Sequence, residues 1–418
     1  MWNEETLVRI GQEIERLEPE MIEMQRCLTA LPAISPKSGG EGEKKRVDYL
    51  KPLLESWGLE VLELRAPDPL SPCGYRPNIV ARLVGKKEKP IIWVMTHLDV
   101  VPPGPRELWH SDPFVARVEA GKIYGRGVED NQQEMVASIF AVKALLNLGL
   151  KPELTIGLML VADEETGSEF GVDWLLKNHN LCAADDLMVV PDAGNEDGTL
   201  LEIAEKSILW LKFTTYGQQA HGSTPHHGNN AHRAGANLLV RLDKVLHSTF
   251  NARDELFAPP ESTIEPTKKE ANVLNVNTIP GEDVFYFDLR VLPHYRLEEV
   301  LAKTREVVAE VEVEFKVKVR VDIEQIAQAA PATSADAPVV RMMRKAVQRV
   351  YGREPFVKGI GGGTVAAFFR RRGIPAVVWG KNAGQAHKPN EFCLIENMVN
   401  NAKVYAHLFG QEAAGGLG

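Results

Sequence analysis

The sequence predicts an α/β core with a central, mostly parallel sheet, into which a smaller α+β domain is inserted. Three observations predict it. Apolar runs at 91–95, 154–161 and 187–190 alternate with helix-like stretches, the rhythm of successive βαβ units. Each run is followed by histidine or acidic residues: His97-Leu98-Asp99, Asp163-Glu164-Glu165 and Pro191-Asp192. From about Lys206 the pattern changes to the order β-α-β-β-α-β, beginning with a strand that alternates in polarity.

The 418 residues exceed one ordinary core, so two domains are expected: a core of 1–205 and 327–418 around an insert of 206–326. A hydrophobic fraction of 44% and a charged fraction of 25% are those of a globular protein. No apolar run approaches the ~20 residues of a membrane span. The formal charge of −9 argues against nucleic acid as the main partner. Met1-Trp2-Asn3-Glu4-Glu5 is acidic and leads into a charged amphipathic helix, unlike a secretory signal. The four cysteines are scattered without a CxxC pair, so they are expected to be buried and reduced, which suits the cytoplasm. The tail, 411–418, is expected to fray.

The elements follow in order. Residues 3–29 read as a helix broken or kinked at Pro19. A second helix, 42–57, carries Val47, Leu50, Leu53 and Leu54 at core spacing, and Pro52 can bend it. Strands follow at 59–64 and 78–83; Lys86-Lys87-Glu88-Lys89 reads as a solvated turn before the strand ending at His97. The loop 102–127, rich in Pro, Trp and Gly, leads to Asp130 and a helix at 132–148. Beyond the strand 154–161 come a helix at 169–178 and the strand 187–190. The insert has strands at 207–215, 271–278, 283–291 and 317–323 and helices at 230–246 and 297–311. After Pro331 the core resumes with a helix at 337–351, a glycine-rich turn at 359–364, a short helix to Arg371 and a strand at 376–379.

A strand sets residues i and i+2 on one side, so His97 and Asp99 can sit together at a strand's carboxyl end, where open α/β sheets build their sites. Neutral imidazole is a good zinc ligand, and a nearby carboxylate fixes its tautomer. Alone, His-x-Asp fits a histidine in a polar turn as well. Asp130 suits a cation or an ordinary helix N-cap. Adjacent acids at 163–165 raise one another's pKa unless a cation compensates, the plainer alternative being a solvated acidic turn. The recurrence decides the matter: three strands deliver His97, Glu164/Glu165 and Asp192 to the same kind of position along one sheet edge. His387, in Ala386-His387-Lys388-Pro389-Asn390-Glu391, is the last candidate ligand.

On these residues the chain resembles the M20 family of zinc aminoacylases and exopeptidases, most of all its succinyl-diaminopimelate desuccinylase and acetylornithine deacetylase branch. The match runs from His97-Leu98-Asp99-Val100-Val101-Pro102 through Tyr124-Gly125-Arg126-Gly127, Glu164-Glu165-Thr166-Gly167-Ser168 and Asp192-Ala193-Gly194 to the His387 motif. The resemblance implies a zinc-exopeptidase-like core holding two Zn2+ per chain, with Co2+ or Mn2+ able to substitute on ligand type. His97 and Asp192 would hold one ion, Glu165 and His387 the other, with Asp130 bridging. Asp99 would orient His97. Glu164 would be the general base that takes a proton from water and passes it to the leaving amine, which accounts for two consecutive glutamates. The insert resembles the family's ferredoxin-like lid and dimerisation domain. This implies a homodimer in which His221 reaches the partner's active site and supports the oxyanion. Asn277 and Arg290 match residues that hold a substrate carboxylate, and Gly363 and Thr364 match the glycine-rich substrate loop. His226, His227 and His232 are read as solvated histidines. The chain departs from the family at Asn131-Gln132-Gln133-Glu134, where many members have Lys-Gly, and at Val365-Ala366, where the desuccinylase has Ser-Asp.

The expected activity is hydrolysis of the amide bond of small N-acyl amino acids; the alternative is a dipeptidase or carboxypeptidase acting on short peptides. Arg290 serves either, because both substrates carry a free carboxylate. A non-catalytic protein on this fold would have lost Glu164 or a ligand, and none is lost. There is no G-x-S-x-G elbow and no H-E-x-x-H helix. The turn at 359–363 is not G-x-G-x-x-G and has no apolar strand immediately before it.

Overall fold

The structure is a computed structural model that describes residues 2–412, so 413–418 of the tail lie outside the described residues. The chain divides into two units: Met1–Ile203, Thr333–Val357 and Thr364–Gly418 form unit one, and Ala204–Ala332 with Lys358–Gly363 form unit two.

Unit one is built on an eight-stranded sheet. Its spatial order is Glu60–Pro67, Tyr75–Leu83, Leu154–Val161, Lys87–His97, Leu187–Val190, Ala376–Val378, Leu200–Glu205 and Phe356–Ile360. Leu154–Val161, Lys87–His97, Leu187–Val190 and Ala376–Val378 run parallel, and the pairings that flank them are antiparallel. Parallel strands covered on both faces become continuous apolar runs, and Leu154–Val161 is buried at every position. Gly157 sits there because Trp93 lies against it: a Cβ at 157 would fall 2.1 Å from the indole ring. The helix Gln132–Asn147 is buried nearly all round, its small and apolar run from Met135 to Val142 included, and packs on Ile395–Phe409. The N-terminal helix breaks at Leu17 into Glu4–Arg16 and Glu18–Thr29, with Pro19 in the first turn of the second.

Several expectations are corrected. Residues Lys87–Lys89 belong to the strand Lys87–His97, pairing from Lys87 with Leu154, so the charged run is not a free turn. The helix expected from 169 begins at Val172. A strand, Phe356–Ile360, runs into the glycine-rich turn, although only Gly359 within it is buried. Leu200–Glu205 and Ile395–Phe409 carried no expectation. Gln411, expected to fray, is buried and donates to Met342 O at 2.9 Å. All four cysteines are free, but only Cys393 is fully buried.

Unit two has a four-stranded antiparallel sheet in the order Thr263–Lys269, Glu282–Val291, Ser207–Tyr216 and Lys318–Ala327, the ferredoxin-like arrangement. The helices Ala231–Thr249 and Leu297–Phe315 share its core, where Phe213 stacks on Phe285 with ring centroids 4.9 Å apart. The strand expected at 271–278 lies instead at Thr263–Lys269. The alternation Val273-Leu274-Asn275-Val276 mimics a strand, yet Leu274 and Val276 are fully exposed and only Thr278–Ile279 pair there, with Ala220–His221. Pro266 is tolerated in the true strand because it lies at the sheet edge. No helix among the described residues is long and apolar enough to cross a membrane.

Candidate metal centre

Four parallel strands of unit one end side by side, and each is followed by a candidate ligand or base: His97, the Glu164–Thr166 turn, Asp192 and, through a longer loop, His387. Asp130 enters from the loop before Gln132–Asn147. These side chains converge. His97 Nε2 lies 3.1 Å from Asp130 Oδ1 and 3.6 Å from Asp192 Oδ1. His387 Nε2 lies 3.1 Å from Asp130 Oδ2 and 3.0 Å from Glu165 Oε2. Donor atoms of His97, Asp130 and Glu165 form one cluster, and those of His97, Glu164 and Asp192 another.

His97 is fixed by its other nitrogen. Nδ1–H donates to the Asp99 carbonyl at 3.1 Å, with the Asp99 carboxylate at 3.5 Å, so Nε2 is the ring nitrogen turned towards Asp130 and Asp192. The Asp99 carboxylate also grips the glutamate turn, accepting the backbone N–H of Glu164 at 3.1 Å and of Glu165 at 3.0 Å. The fully buried Arg46 braces the segment between His97 and Asp99 by donating to Leu98 O at 2.6 Å. Asp163, which starts the glutamate turn, is left-handed at φ 64°. Its carboxylate accepts from Phe170 N at 3.1 Å and from Arg76 at 3.4 Å, and Arg76 is paired with the buried Glu43. His387 is also left-handed, at φ 63°. Strain of this kind persists where surrounding bonds over-determine the backbone.

The electrostatics describe a cradle short of positive charge. Burial pulls His97 down, but its bonds to Asp130 and Asp99 outweigh this and hold it well above the ordinary value. Hydrogen bonds to Asp130 and Glu165 raise His387 to about 10. Burial and the acids nearby push Asp192 up to about 7, and burial and Asp192 push Glu164 well up. Asp130 moves the other way: burial favours its proton, yet His387 and His97 together hold it below the usual carboxylate range. Two imidazoles facing three carboxylates are stable when a cation stands between them. A tetrahedral zinc with bonds of about 2.0–2.1 Å has ligand atoms roughly 3.3 Å apart. The observed separations of 3.0 to 3.6 Å bracket that spacing, and the all-N,O donor set suits zinc.

Sequence reasoning missed Glu391. It is fully buried and accepts from Gly127, Glu129 and Asp130 backbone N–H and from Arg126, tying the His387 loop to the Asp130 loop. The only signal was its place in the His387 motif. Of the remaining candidates, His221, Asn277, Arg290 and Gly363 belong to unit two and Thr364 to unit one. His221 and Asn277 come together: His221 pairs with Thr278, and Gly222 N donates to Asn277 O at 2.7 Å. His221 is exposed and its Nδ1 accepts the Ser223 N–H at 3.2 Å, which leaves the proton on Nε2. Arg290 is already forked onto Asp288, at 2.7 and 3.0 Å, with Nη1 reaching Gly361 O at 3.3 Å. Thr364 Oγ1 accepts Ala366 N at 3.2 Å. His232 is tied to Asp283 at 2.9 Å, and the exposed His226 and His227 rings lie 4.0 Å apart.

A histidine and carboxylate cradle at the carboxyl edge of a parallel sheet is the site of a metallohydrolase. Residues 93–411 match the family described as peptidase family M20/M25/M40, and the chain belongs to it. A protein of Methanocaldococcus jannaschii named an uncharacterized metallohydrolase is 37% identical over 403 residues, covering 92% of this chain and 98% of that protein. The succinyl-diaminopimelate desuccinylase of Wolinella succinogenes is 26% identical over 380 residues, covering 90% and 95%. Among solved structures, an M20 family metallo-carboxypeptidase from Sulfolobus solfataricus shares the fold with a TM-score of 0.69 at 21% identity, covering 94% of this chain and 98% of that one.

Proposed function

We propose that the chain is a dinuclear zinc hydrolase cleaving the amide bond of small N-acyl amino acids. Asp130 carries this reading: its two carboxylate oxygens each lie 3.1 Å from a different histidine, His97 and His387, so one side chain serves two donor sets. His97 and Asp192 would hold one ion, Glu165 and His387 the other. When bound, the ions supply Lewis-acid polarisation of the amide carbonyl and acidify the attacking water.

The protein residues do the rest. Asp99 keeps the His97 tautomer that offers Nε2. Glu164 takes the proton from water and gives it to the leaving amine. A carboxyl held up by burial and by Asp192 suits a group that is base first and acid second. His221, with its proton on Nε2, would donate to the developing oxyanion across a homodimer joined through unit two, the lid and dimerisation domain of this reading; the exposed Leu274 and Val276 there favour such a joint. Asn277 and Arg290 would hold the substrate carboxylate, with Gly363 and Thr364 in the loop beside it. Because Asp288 occupies one N–H of Nη2 and the Nε–H, Arg290 offers a carboxylate its outer N–H groups only. Four free cysteines suit the cytoplasm.

Likeness to proteins named succinyl-diaminopimelate desuccinylase favours acylated substrates. The test is amine release from N-acetyl and N-succinyl amino acids beside dipeptides, with zinc, cobalt or manganese supplied. Turnover of the acylated compounds is expected. Turnover confined to dipeptides would replace this substrate class with the peptidase one, and silence on both would sink it.

A further inference from the structure

Asp130, which faces both histidines, is flanked in the chain by two buried polar residues, Glu129 and Asn131, 6% and 3% exposed. Their side chains reach different segments, and each ends beside a different ligand. Asn131 Nδ2 donates to Pro191 O at 2.7 Å, and that carbonyl belongs to the peptide bond leading into Asp192. The Glu129 carboxylate accepts the backbone N–H of Ala383 on Oε1 and that of Gln385 on Oε2, the latter two residues before His387. Gln133, in the first turn of the helix Gln132–Asn147, holds the same loop from its other end by donating to Lys381 O at 2.9 Å.

The backbone that carries these side chains is itself anchored. Glu391 Oε1 accepts the N–H of Glu129 at 2.9 Å and that of Asp130 at 3.1 Å. The segments they reach depend on such holds. From Trp379 to Ala386 the chain is neither helix nor strand, and His387 follows in the left-handed region. A loop left free would have to be ordered when metal binds, which costs affinity; a loop already tied would not. Pairing two buried polar groups needs only some partner. Here the partners are the backbone that leads into Asp192 and the backbone that leads into His387.

We infer that Glu129 and Asn131 are positioning residues, one for each ion. Asn131 holds Asp192 for the ion shared with His97, and Glu129 holds the His387 loop for the ion shared with Glu165. With Asp130 between them, they fix the separation of the two terminal ligands. This rests on the ligand sets of the proposed dinuclear centre.

The test is a cobalt(II) titration of the metal-free protein followed by visible absorption, with Asp192→Ala and His387→Ala marking the loss of each ion. Asn131→Ala should weaken the ion lost in Asp192→Ala by about 10–100-fold and leave the other within about twofold. Glu129→Gln should do the reverse, because either orientation of the amide sets an NH2 against a backbone N–H. Equal weakening of both ions in either variant, with a lower melting midpoint, is what a merely structural role gives and would overturn the inference, as would no weakening at all. Hydrogen exchange in the unaltered, metal-free protein gives a reading that needs no variant to fold. The N–H groups of Ala383 and Gln385 and the side-chain amide of Asn131 should exchange slowly without metal, since their partners are protein oxygens. Free-peptide rates at these groups would overturn the assignment. One equivalent of cobalt in the parent would count against the dinuclear centre instead, and the exchange rates would still decide whether the two clamps exist.

Discussion

Glu391→Gln removes one charge and almost no volume, yet it should be among the most damaging changes near the site. Glu391 Oε2 accepts from Arg126 Nη1 at 2.6 Å and Gly127 N at 2.9 Å; Oε1 accepts from Glu129 N at 2.9 Å and Asp130 N at 3.1 Å. An amide replaces one oxygen by NH2, and either orientation sets that NH2 against two donors. Two of the four bonds are lost, in a place with 0% exposure where water cannot replace them. At about 1.5–3 kcal/mol for each bond to a charged group, the loss is about 3–6 kcal/mol, a large part of the stability of a typical domain. Burial pushes the Glu391 carboxyl up to about 7 against the pull of its donors, so the comparison belongs at about pH 8, where it is ionised. Urea unfolding of the metal-free protein gives the stability, and a competing chelator gives the metal affinity. The affinity should fall about 10–100-fold, since the Asp130 backbone is released. A variant within about 1 kcal/mol of the parent with unchanged affinity would refute the reasoning.

Three further changes test other links. Glu164→Gln should cut kcat by at least about 100-fold with metal content unchanged, measured on the best substrate of the panel; near-normal turnover would remove its role as base. Gly157→Ala sets a methyl 2.1 Å from the Trp93 ring and should cost about 1–3 kcal/mol in thermal unfolding; a neutral result would mean the indole can retreat. Burial, aided by Arg349, holds His407 down at about 4. The fold prefers its neutral form, so the stability it supports is present above the ordinary value of about 6.5 and is lost as pH falls towards 4, by about 2 kcal/mol once the full ~3 kcal/mol of the shift is reduced for the solvent that screens this half-buried ring. His407→Gln should flatten that part of the stability profile, and an identical acid slope in parent and variant would assign it elsewhere.

The central sheet was legible because its strands are buried on both faces: Leu154–Val161 and Leu187–Val190 are apolar without interruption and matched at both ends. What was hidden lies at edges or depends on partners distant in sequence. Thr263–Lys269 contains Pro266 and two lysines, and only an edge position makes a strand of it, while the better-looking alternation at Val273–Val276 pairs with nothing in the sheet. Ile395–Phe409 was obscured by its asparagines. Asn397 and Asn401 look solvent-facing in the sequence but are buried, Asn401 because it donates to Glu134 from 267 positions away.

The same division runs through the site. Ligand candidates were legible because strand ends gather them, and so was Asp99 as a partner of His97; the other contacts that aim the ligands were not. Asp99 is the clearest case. From His-x-Asp alone its role is to orient an imidazole, and its carbonyl does accept Nδ1–H. Its carboxylate meanwhile spans two consecutive amides, those of Glu164 and Glu165. That grip explains how adjacent glutamates can serve different clusters: with both N–H groups held and Asp163 locked left-handed, the turn cannot rotate to bring both side chains to one side. Glu165 joins His97 and Asp130 while Glu164 joins His97 and Asp192. Two glutamates one residue apart that join different clusters are thus held through their backbone by a third carboxylate. The motif contains that carboxylate, but only the fold reveals its second use.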